Sequence, residues 1–398
     1  MMSVADLPEV ALDAVPMAED RGTGWQHLRA LGPLVRVNDA LYVTRAADVE
    51  HVLRHPELFS SRKAFDSLGS PLPLVPLSYD PPEHTRYRQI LQPFFSPRVL
   101  KEVLPDLQAQ VVVLIDAIAG KDHVDAVREL AVPYPSQVFL TLFGLPLADR
   151  ERLIAWKDSV IALSEAGLAA ATPDDLTPAL ELFTYLTEAI QAKRAAPGDD
   201  ILSALLQGDT KEGVEPLDED EALGLCFLFV LAGLDTVTAT IGFALHALAR
   251  DPGLRRSAMA DEASTMAFVE EIVRLDPPAP MLPRVTTQEV ELAGCTIPAD
   301  TLLYACIGSA NRDEDGDLAE PDAVQTDDAV HRHWGFGGGP HRCLGSHLAR
   351  LELRLVLQEW HARVPDYAVA SGATPRITWP AGTFGLQSLE LVLGSDLA

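Results

Sequence analysis

Apolar residues recur at intervals of three and four along most of the chain, a spacing that predicts amphipathic helices. Thr177 and Pro178 mark one helix start, because threonine caps helices and proline suits the first helical position. The apolar stripe after it consists of Leu180, Phe183, Leu186 and Ile190. Further helices are predicted over residues 149–163, 199–206, 261–275 and 346–360. The pattern indicates a mainly α-helical protein.

Strand-like alternation is confined to three segments of the chain. Residues 34–44 predict a hairpin with its turn at Asn38-Asp39, and residues 285–307 contain short alternating runs. A final pair of strands is predicted within residues 376–393. We therefore expect a mainly α fold with a small β region.

The longest apolar stretch, residues 222–249, is long enough to span a bilayer. Asp235, His246 and three threonines interrupt it, and such side chains fit lipid poorly. We interpret the stretch as a buried helix through the middle of a large α-helical protein, and we expect no membrane anchor.

Composition narrows the class of protein further. The chain has 398 residues, of which 47% are hydrophobic, enough for a large core. No Pro-, Gly- or Ser-rich linker divides the sequence, so we expect one domain over residues 1–398. The net charge of −27 disfavours nucleic acids and anionic membranes as partners. Residues 1–24 lack the basic and apolar regions of a signal peptide, which predicts a cytoplasmic protein.

The four cysteines, Cys226, Cys295, Cys306 and Cys343, include no C-x-x-C pair, which argues against disulfides and zinc. Cys343 stands in a glycine-rich loop directly before a predicted helix. The helix N-terminus and Arg342 favour its thiolate, and the glycines allow a flat, bulky group to approach. Such a thiolate could bind haem iron. A phosphate-binding loop is the alternative, but the G-K-[ST] ending is missing.

Three other segments each contain a pair of polar residues that could form an ion pair, take part in catalysis or bind a ligand. Glu271 and Arg274 share a helix face and can pair. Asp235 and Thr236 lie inside the long apolar helix, where either a structural ion pair with a back-bonded threonine or a functional role would explain them. His84 and Arg88 are four residues apart and could bind a carboxylate together. Each of these pairs is weak on its own.

These segments together resemble the cytochrome P450 monooxygenases, in family order and over nearly the whole chain. The loop matches the haem-binding pattern F-x-x-G-x-H-x-C-x-G, and Ala232-Gly233-Leu234-Asp235-Thr236 matches the family's oxygen-activation motif. The resemblance implies haem b as cofactor, O2 as cosubstrate and Cys343 as the iron ligand. It also implies that O2 supplies one oxygen atom for hydroxylation or epoxidation of the substrate.

The resemblance assigns further roles to individual residues. Phe336, Gly339 and Gly345 would surround the thiolate, and His84, Arg88, Arg284 and His341 would hold the haem propionates. Gly233, Asp235 and Thr236 would serve oxygen activation, with Asp235 delivering protons from solvent. Glu271 and Arg274 would form a buried brace for the cysteine loop. The usual third basic residue of that brace is replaced by Ala323, and Arg332 or His331 could substitute.

Substrate contacts carried over from the family are nearly all apolar, so we expect a hydrophobic small molecule such as a terpenoid, steroid, fatty acyl chain or polyketide. For each residue, an ordinary core position is the alternative. The candidates are Leu72, Leu74, Val75, Phe229, Val230, Ala232, Ala279, Met281, Leu282 and Phe384. Helices over residues 149–190, joined by the small residues of 165–171, resemble the family's mobile lid.

We expect a monomer without a fused reductase, which receives electrons from NAD(P)H through a separate ferredoxin reductase and ferredoxin. A basic stripe would form the ferredoxin dock; it comprises His347, Arg350 and Arg354, with Arg98 or Lys101. The alternatives are a peroxygenase or non-oxygenating haem-thiolate enzyme of the same fold, a haem-based sensor or carrier, and a cysteine hydrolase. Asp235 and Thr236 argue against the first three, because they suit a proton relay.

Overall fold

The computed structural model describes residues 2–18, 20–65, 74–166, 172–208, 214–316, 318–325, 330–377 and 379–394. Leu72 and most of the predicted lid linker, residues 167–171, lie outside these ranges. The described residues are mainly helical, as predicted. The α-helices are α1 (Arg21–Leu31), α2 (Ala46–Arg54), α3 (Glu83–Leu91), α4 (Pro97–Asp116), α5 (Pro133–Leu142), α6 (Arg150–Ala166), α7 (Pro173–Ala195), α8 (Ile201–Gln207), α9 (Glu219–Arg250), α10 (Pro252–Ala258), α11 (Glu262–Leu275), α12 (Ile307–Ala310) and α13 (Ser346–Arg363).

Short strands form three small sheets. The strands are β1 (Met2–Ser3), β2 (Leu34–Val37), β3 (Ala40–Val43), β4 (Phe59–Ser60), β5 (His123–Asp125), β6 (Leu282–Thr286), β7 (Val290–Leu292), β8 (Cys295–Ile297), β9 (Leu302–Ala305), β10 (Tyr367–Val369) and β11 (Glu390–Leu393). Their orders are β2-β3-β9-β6-β4, β1-β8-β7 and β10-β11-β5. The predicted hairpin is confirmed, because β2 and β3 pair antiparallel and Asn38 adopts a φ of 53° in the turn.

The prediction that two strands within residues 376–393 pair with each other is wrong. β11 pairs antiparallel with β10 and with β5, both of which lie outside residues 376–393. Within that segment the recorded pairing is a single bridge between Ile377 and Leu386. The alternation of the segment marked β11 correctly, but the partners of a strand are not encoded in its own pattern.

The predicted start of α7 at Thr177 is also wrong, since the helix begins five residues earlier. Thr172 is the N-cap, and it forms a capping box with Asp175, while Pro173 takes the first helical position. Thr177 instead lies inside the helix, where its hydroxyl donates to the carbonyl of Pro173 at 3.2 Å. The reciprocal bond from the Thr172 amide to Asp175 has no counterpart at Thr177, because Leu180 stands at the matching position and cannot accept a hydrogen bond.

The long apolar stretch forms α9, 32 residues or about 48 Å in length. Asp218 caps it and shares a capping box with Glu221. By length and composition alone, α9 could cross a membrane, and it is the one helix among the described residues of which this is true. However, α5, α7, α11 and α13 all pack against it, as the interpretation of a central core helix requires. α9 and α13 thus bring the predicted oxygen-activation motif and the cysteine loop into the same core.

Candidate active site

The cysteine loop is held in shape by its backbone. The Cys343 amide donates to the carbonyl of Phe336 at 2.8 Å, and residues Gly339–His341 form a 3-10 turn. Gly339 has a φ of +62°, and a Cβ atom there would lie 2.1 Å from the carbonyl oxygen of Leu53. Only glycine fits this position, because both the backbone angle and the contact with α2 exclude a side chain. The loop then enters α13 at Ser346.

Cys343 is the accessible thiol among the cysteines. Its side chain is exposed, whereas Cys226, Cys295 and Cys306 are buried. Desolvation nevertheless raises the pKa of the Cys343 thiol, although the Gly345 amide and the nearby arginines, Arg88, Arg342 and Arg350, oppose that rise. The prediction of a favoured thiolate is therefore only half right: the expected groups act on it, but desolvation outweighs them. A metal cation would supply the missing stabilisation.

A cationic cluster lies beside this loop. Its charge comes from Arg88 and Arg284, and two histidines complete it; His84 and Arg284 are buried, while Arg88 and His341 are half-buried. The rings of His84 and His341 are 4.1 Å apart, and Arg88 donates to the carbonyl of Arg342 at 2.9 Å. Burial and Arg88 lower the pKa of His84 to about 4, and burial and Arg284 lower that of His341 to about 2. Burial also lowers the pKa of Arg284 to about 10. The structure thus brings together the four residues that the sequence assigned to the propionates.

The cationic cluster has little negative charge of its own. Arg284 is 3% exposed, and its recorded hydrogen bond goes to the backbone carbonyl of Pro283. The Nε2 atom of His341 is buried and has no hydrogen-bond partner among the residues that the structure describes. Asp80 raises the pKa of Arg284, but its carboxylate accepts from Ser60 and from the amide of Ser61. A ligand with carboxylates would satisfy these groups.

The middle of α9 opens on one face. Ala232 and Gly233 are exposed although most of the helix is buried, and a Cβ at Gly233 would meet nothing within 4 Å. The Thr236 hydroxyl donates to the Ala232 carbonyl at 2.8 Å, the back-bonding that the sequence left open as its structural explanation. This face leaves room for a bulky group next to the predicted oxygen-activation residues.

Asp235 forms the ion pair that the sequence offered as its structural explanation, with a partner that the sequence did not reveal. Lys157 of α6 donates to the Asp235 carboxylate and to Asp158 at 2.6 Å, and its side chain is 7% exposed. Burial raises the pKa of Asp235, while Lys157 opposes the shift. A buried aspartate predicts a cationic partner in general, but a lysine 78 residues away cannot be identified from spacing.

Glu271 and Arg274 form the buried pair that was predicted. Arg274 Nε and Nη2 donate to the two Glu271 oxygens at 2.9 and 2.8 Å, and Arg274 is fully buried. The remaining hydrogen bonds are to main-chain atoms. Arg274 donates to the carbonyls of Asn311, Pro321 and Ala323, and the Gln325 amide donates to Glu271 at 2.9 Å. Of the two suggested substitutes, Arg332 is wrong, because it pairs with Glu50 at the surface.

Several predicted substrate contacts lie in the core. Phe384 stacks on Trp25 at 6.3 Å and meets Trp379 edge-on, while Phe229 meets Phe95 and Phe143 edge-on at 5.6 Å. The structure therefore favours the core alternative for Phe384, which is buried, whereas Phe229 is half-buried. Also buried are Leu74, Val75 and Val230. The candidates that keep accessible surface are Phe229, Ala232, Ala279, Met281 and Leu282.

The predicted basic stripe on α13 is interrupted by ion pairs. Arg350 pairs with Glu270, and Arg354 pairs with Glu262, so neither arginine carries an unbalanced charge. The pairing partly neutralises two members of the predicted dock, and the dock itself stays a prediction. Exposed basic side chains are found at Arg342 and His347 beside Cys343 in sequence, and at Arg98 and Lys101 in α4, a helix that packs against α13.

Comparison with known proteins defines the class. The family model for cytochrome P450 matches residues 35–360, and the chain belongs to that family. It is 35% identical over 333 residues to the erythromycin C-12 hydroxylase of Saccharopolyspora erythraea, covering 81% of each chain. It is 32% identical over 371 residues to the vitamin D(3) 25-hydroxylase of Pseudonocardia autotrophica, covering 88% of this chain and 90% of the relative.

A solved structure agrees closely in fold. A mutant of P450 EryK in complex with erythromycin B superposes with a TM-score of 0.84 and 31% identity, over 95% of this chain and 98% of that chain. The predicted family and fold are confirmed. The protein is an oxidoreductase of the P450 monooxygenase family, which uses haem b and O2. The accessible thiol, the unsatisfied His341 and the anion-poor cationic cluster fit that cofactor.

Proposed function

We propose that Cys343 binds the haem iron and that His84, Arg88, Arg284 and His341 hold the propionates. The observation that carries the proposal is the partly buried cationic cluster, which adjoins the accessible thiol and has Asp80 as its neighbouring acid among the described residues. Arg88 links the two, because it contacts the carbonyl of Arg342 and lowers the pKa of Cys343. Phe336, Gly339 and Gly345 shape the loop around the sulfur.

Haem bound through a thiolate supplies O2 activation, which allows one oxygen atom to be inserted into a substrate. Asp235 would accept and pass protons, since burial raises its pKa and makes the carboxylate easier to protonate, and its side chain is 24% exposed. Thr236 places a hydroxyl on the adjacent open face of α9. Gly233 keeps that face free of side chains.

We propose a hydrophobic small-molecule substrate, such as a terpenoid, steroid, fatty acyl chain or polyketide. The accessible surfaces of Ala232, Ala279, Met281 and Leu282 support this class. Two relatives described above are named as an erythromycin C-12 hydroxylase and a vitamin D(3) 25-hydroxylase, and these names agree with a substrate larger than a simple polar metabolite. A compound library screened for a change in haem spin state would identify the substrate, and hits confined to small polar compounds would contradict the proposal.

We propose that a separate ferredoxin and its reductase supply the electrons, in the cytoplasm, to a chain that acts as one domain. Arg98, Lys101, Arg342 and His347 are exposed on α4 and around the start of α13, two helices that pack together, and we propose that they form a basic patch on a protein whose net charge is −27. A ferredoxin with an acidic surface would be attracted to this patch and repelled by the rest of the surface.

The reduced carbon monoxide difference spectrum tests the iron ligand. Wild-type protein reconstituted with haem should show the red-shifted Soret band that marks thiolate ligation, because Cys343 provides the sulfur. Cys343→Ala should lose the band completely, whereas Cys226→Ala, which removes a buried thiol in α9, should keep it. A Cys343→Ala protein that retained the band would refute the proposal.

A further inference from the structure

A second ionic network lies beside the Glu271 brace. Glu270 of α11 accepts two hydrogen bonds from Arg350 of α13, one of them at 2.7 Å from Nη2, and one from His333 at 3.0 Å. The Glu270 side chain is only 6% exposed. Burial raises the pKa of Glu270, but Arg350 and His333 outweigh it and bring the pKa down to about 2. Glu270 is therefore a buried, ionised carboxylate.

Arg350 connects this network to the cysteine loop. Its guanidinium carbon lies 4.2 Å from the centroid of the Phe336 ring, and the Phe336 carbonyl accepts the Cys343 amide. The same guanidinium thus contacts the aromatic ring of the loop residue whose carbonyl binds the Cys343 amide, which places its charge against the loop.

The network balances its charges close to the sulfur. Nδ1 of His333 accepts the Gly335 amide at 3.1 Å, so the ring carries its proton on Nε2 and is neutral. The charges that remain are the carboxylate of Glu270 and the guanidinium of Arg350, which cancel. Because Arg350 is 20% exposed and Glu270 is buried, salt screens the pair less than an exposed one.

We propose that Glu270 and Arg350 are positioning residues whose balanced charges set the reduction potential of haem bound at Cys343. The inference rests on the proposed function, because it requires Cys343 to be the iron ligand. Reduction adds negative charge at the haem, so an uncompensated cation nearby favours it and an uncompensated anion opposes it. The negative charge of Glu270 offsets the electrostatic effect of Arg350 on the haem, and the positive charge of Arg350 offsets that of Glu270.

Two single variants should shift the potential in opposite directions. Glu270→Gln keeps the shape and a hydrogen-bond acceptor but leaves Arg350 unbalanced, so the midpoint potential should become more positive. Arg350→Gln leaves Glu270 unbalanced, so the potential should become more negative. The double variant should return close to the wild-type value. Spectroelectrochemical titration of the purified holoenzyme measures all four proteins.

A matched pair on the same two helices provides the control. Arg354 of α13 pairs with Glu262 of α11, whose side chain is 65% exposed. Glu262→Gln and Arg354→Gln should leave the potential unchanged, because solvent screens this pair and it lies one turn further from Cys343. Arg350→Lys retains the charge without the planar contact on Phe336, and it should stay close to wild type if charge is decisive.

The outcomes separate the two proposals. Wild-type protein without the red-shifted carbon monoxide band would defeat the proposed function. Wild-type protein with the band, but with both single variants shifted in one direction or unchanged, would defeat the inference. If Arg350→Gln does not bind haem, Glu270→Gln decides alone: a potential no more positive than that of Glu262→Gln overturns the inference.

Discussion

For Asp235, the structure agrees with both interpretations that the sequence left open, a structural ion pair and a role in proton transfer. Its ion pair with Lys157 is the structural arrangement, and its raised pKa with partial exposure suits proton transfer. A local pattern predicts the acid, the alcohol beside it and the Glu271/Arg274 pair, because each motif lies within one helical turn. It does not predict Lys157 or the Gln325 amide, since tertiary packing brings these to their partners from 78 and 54 residues away.

Removing Lys157 should expose the cost of burying Asp235. Lys157→Met should lower the free energy of unfolding by up to about 3 kcal/mol near neutral pH, because an ionised carboxylate loses its buried partner. The pKa of Asp235 would rise further above its unfolded value, so the variant retains stability below that value and loses it as pH increases. Urea denaturation between acid and neutral pH measures the loss.

The double variant Lys157→Met/Asp235→Asn is the control for this pH dependence. It has no carboxylate to ionise at this position, so its stability relative to wild type should vary much less between acid and neutral pH. A Lys157→Met protein that was equally destabilised at every pH would show that lost packing of the lysine stem, and not the charge of Asp235, explains the effect.

At the scale of elements, periodicity predicted long helices well and short strands poorly. α9, α11 and α13 have several turns of apolar repeat, so their existence follows from the sequence. β1 and β4 have two residues each, too few for any alternation to register. Their backbone partners in β8 and β6 hold them, and pairing of that kind depends on the assembled fold.

The contact between the cysteine loop and α2 predicts a sharp difference between two glycines. Gly339→Ala should destabilise the loop by about 3 kcal/mol or more, because it combines a positive φ with a clash against Leu53. Gly345→Ala should be tolerated, since a Cβ there meets nothing within 4 Å. The fraction of protein that shows the red-shifted carbon monoxide band, together with the Tm, measures both effects. Equal losses in the two variants would contradict this account of the loop.

At the scale of the whole molecule, the acidic surface makes the basic patch electrostatically distinct. Arg98→Glu/Lys101→Glu should slow reduction by ferredoxin roughly ten-fold at low salt, with a smaller effect at high salt, and leave reduction by dithionite unchanged. Arg354→Glu should have a weaker effect, because Arg354 is already paired with Glu262. Stopped-flow kinetics measures the rates.

The matched control for the patch is Arg194→Glu, an exposed reversal at the end of α7. It changes the net charge in the same direction but lies on a different helix from the patch, so reduction by ferredoxin should remain close to wild type. If Arg194→Glu slowed reduction as much per charge as the patch variant, net charge and not a local dock would govern the encounter.

The main-chain partners of the Glu271/Arg274 brace have a consequence for how this segment can evolve. Every residue type supplies the carbonyl groups at positions 321 and 323, and every residue except proline supplies the amide at position 325. Substitutions other than proline at position 325 should therefore leave the brace in place. Insertion or deletion of one residue would displace every contact at once. We therefore expect the length of this stretch to be more constrained than the identity of its side chains.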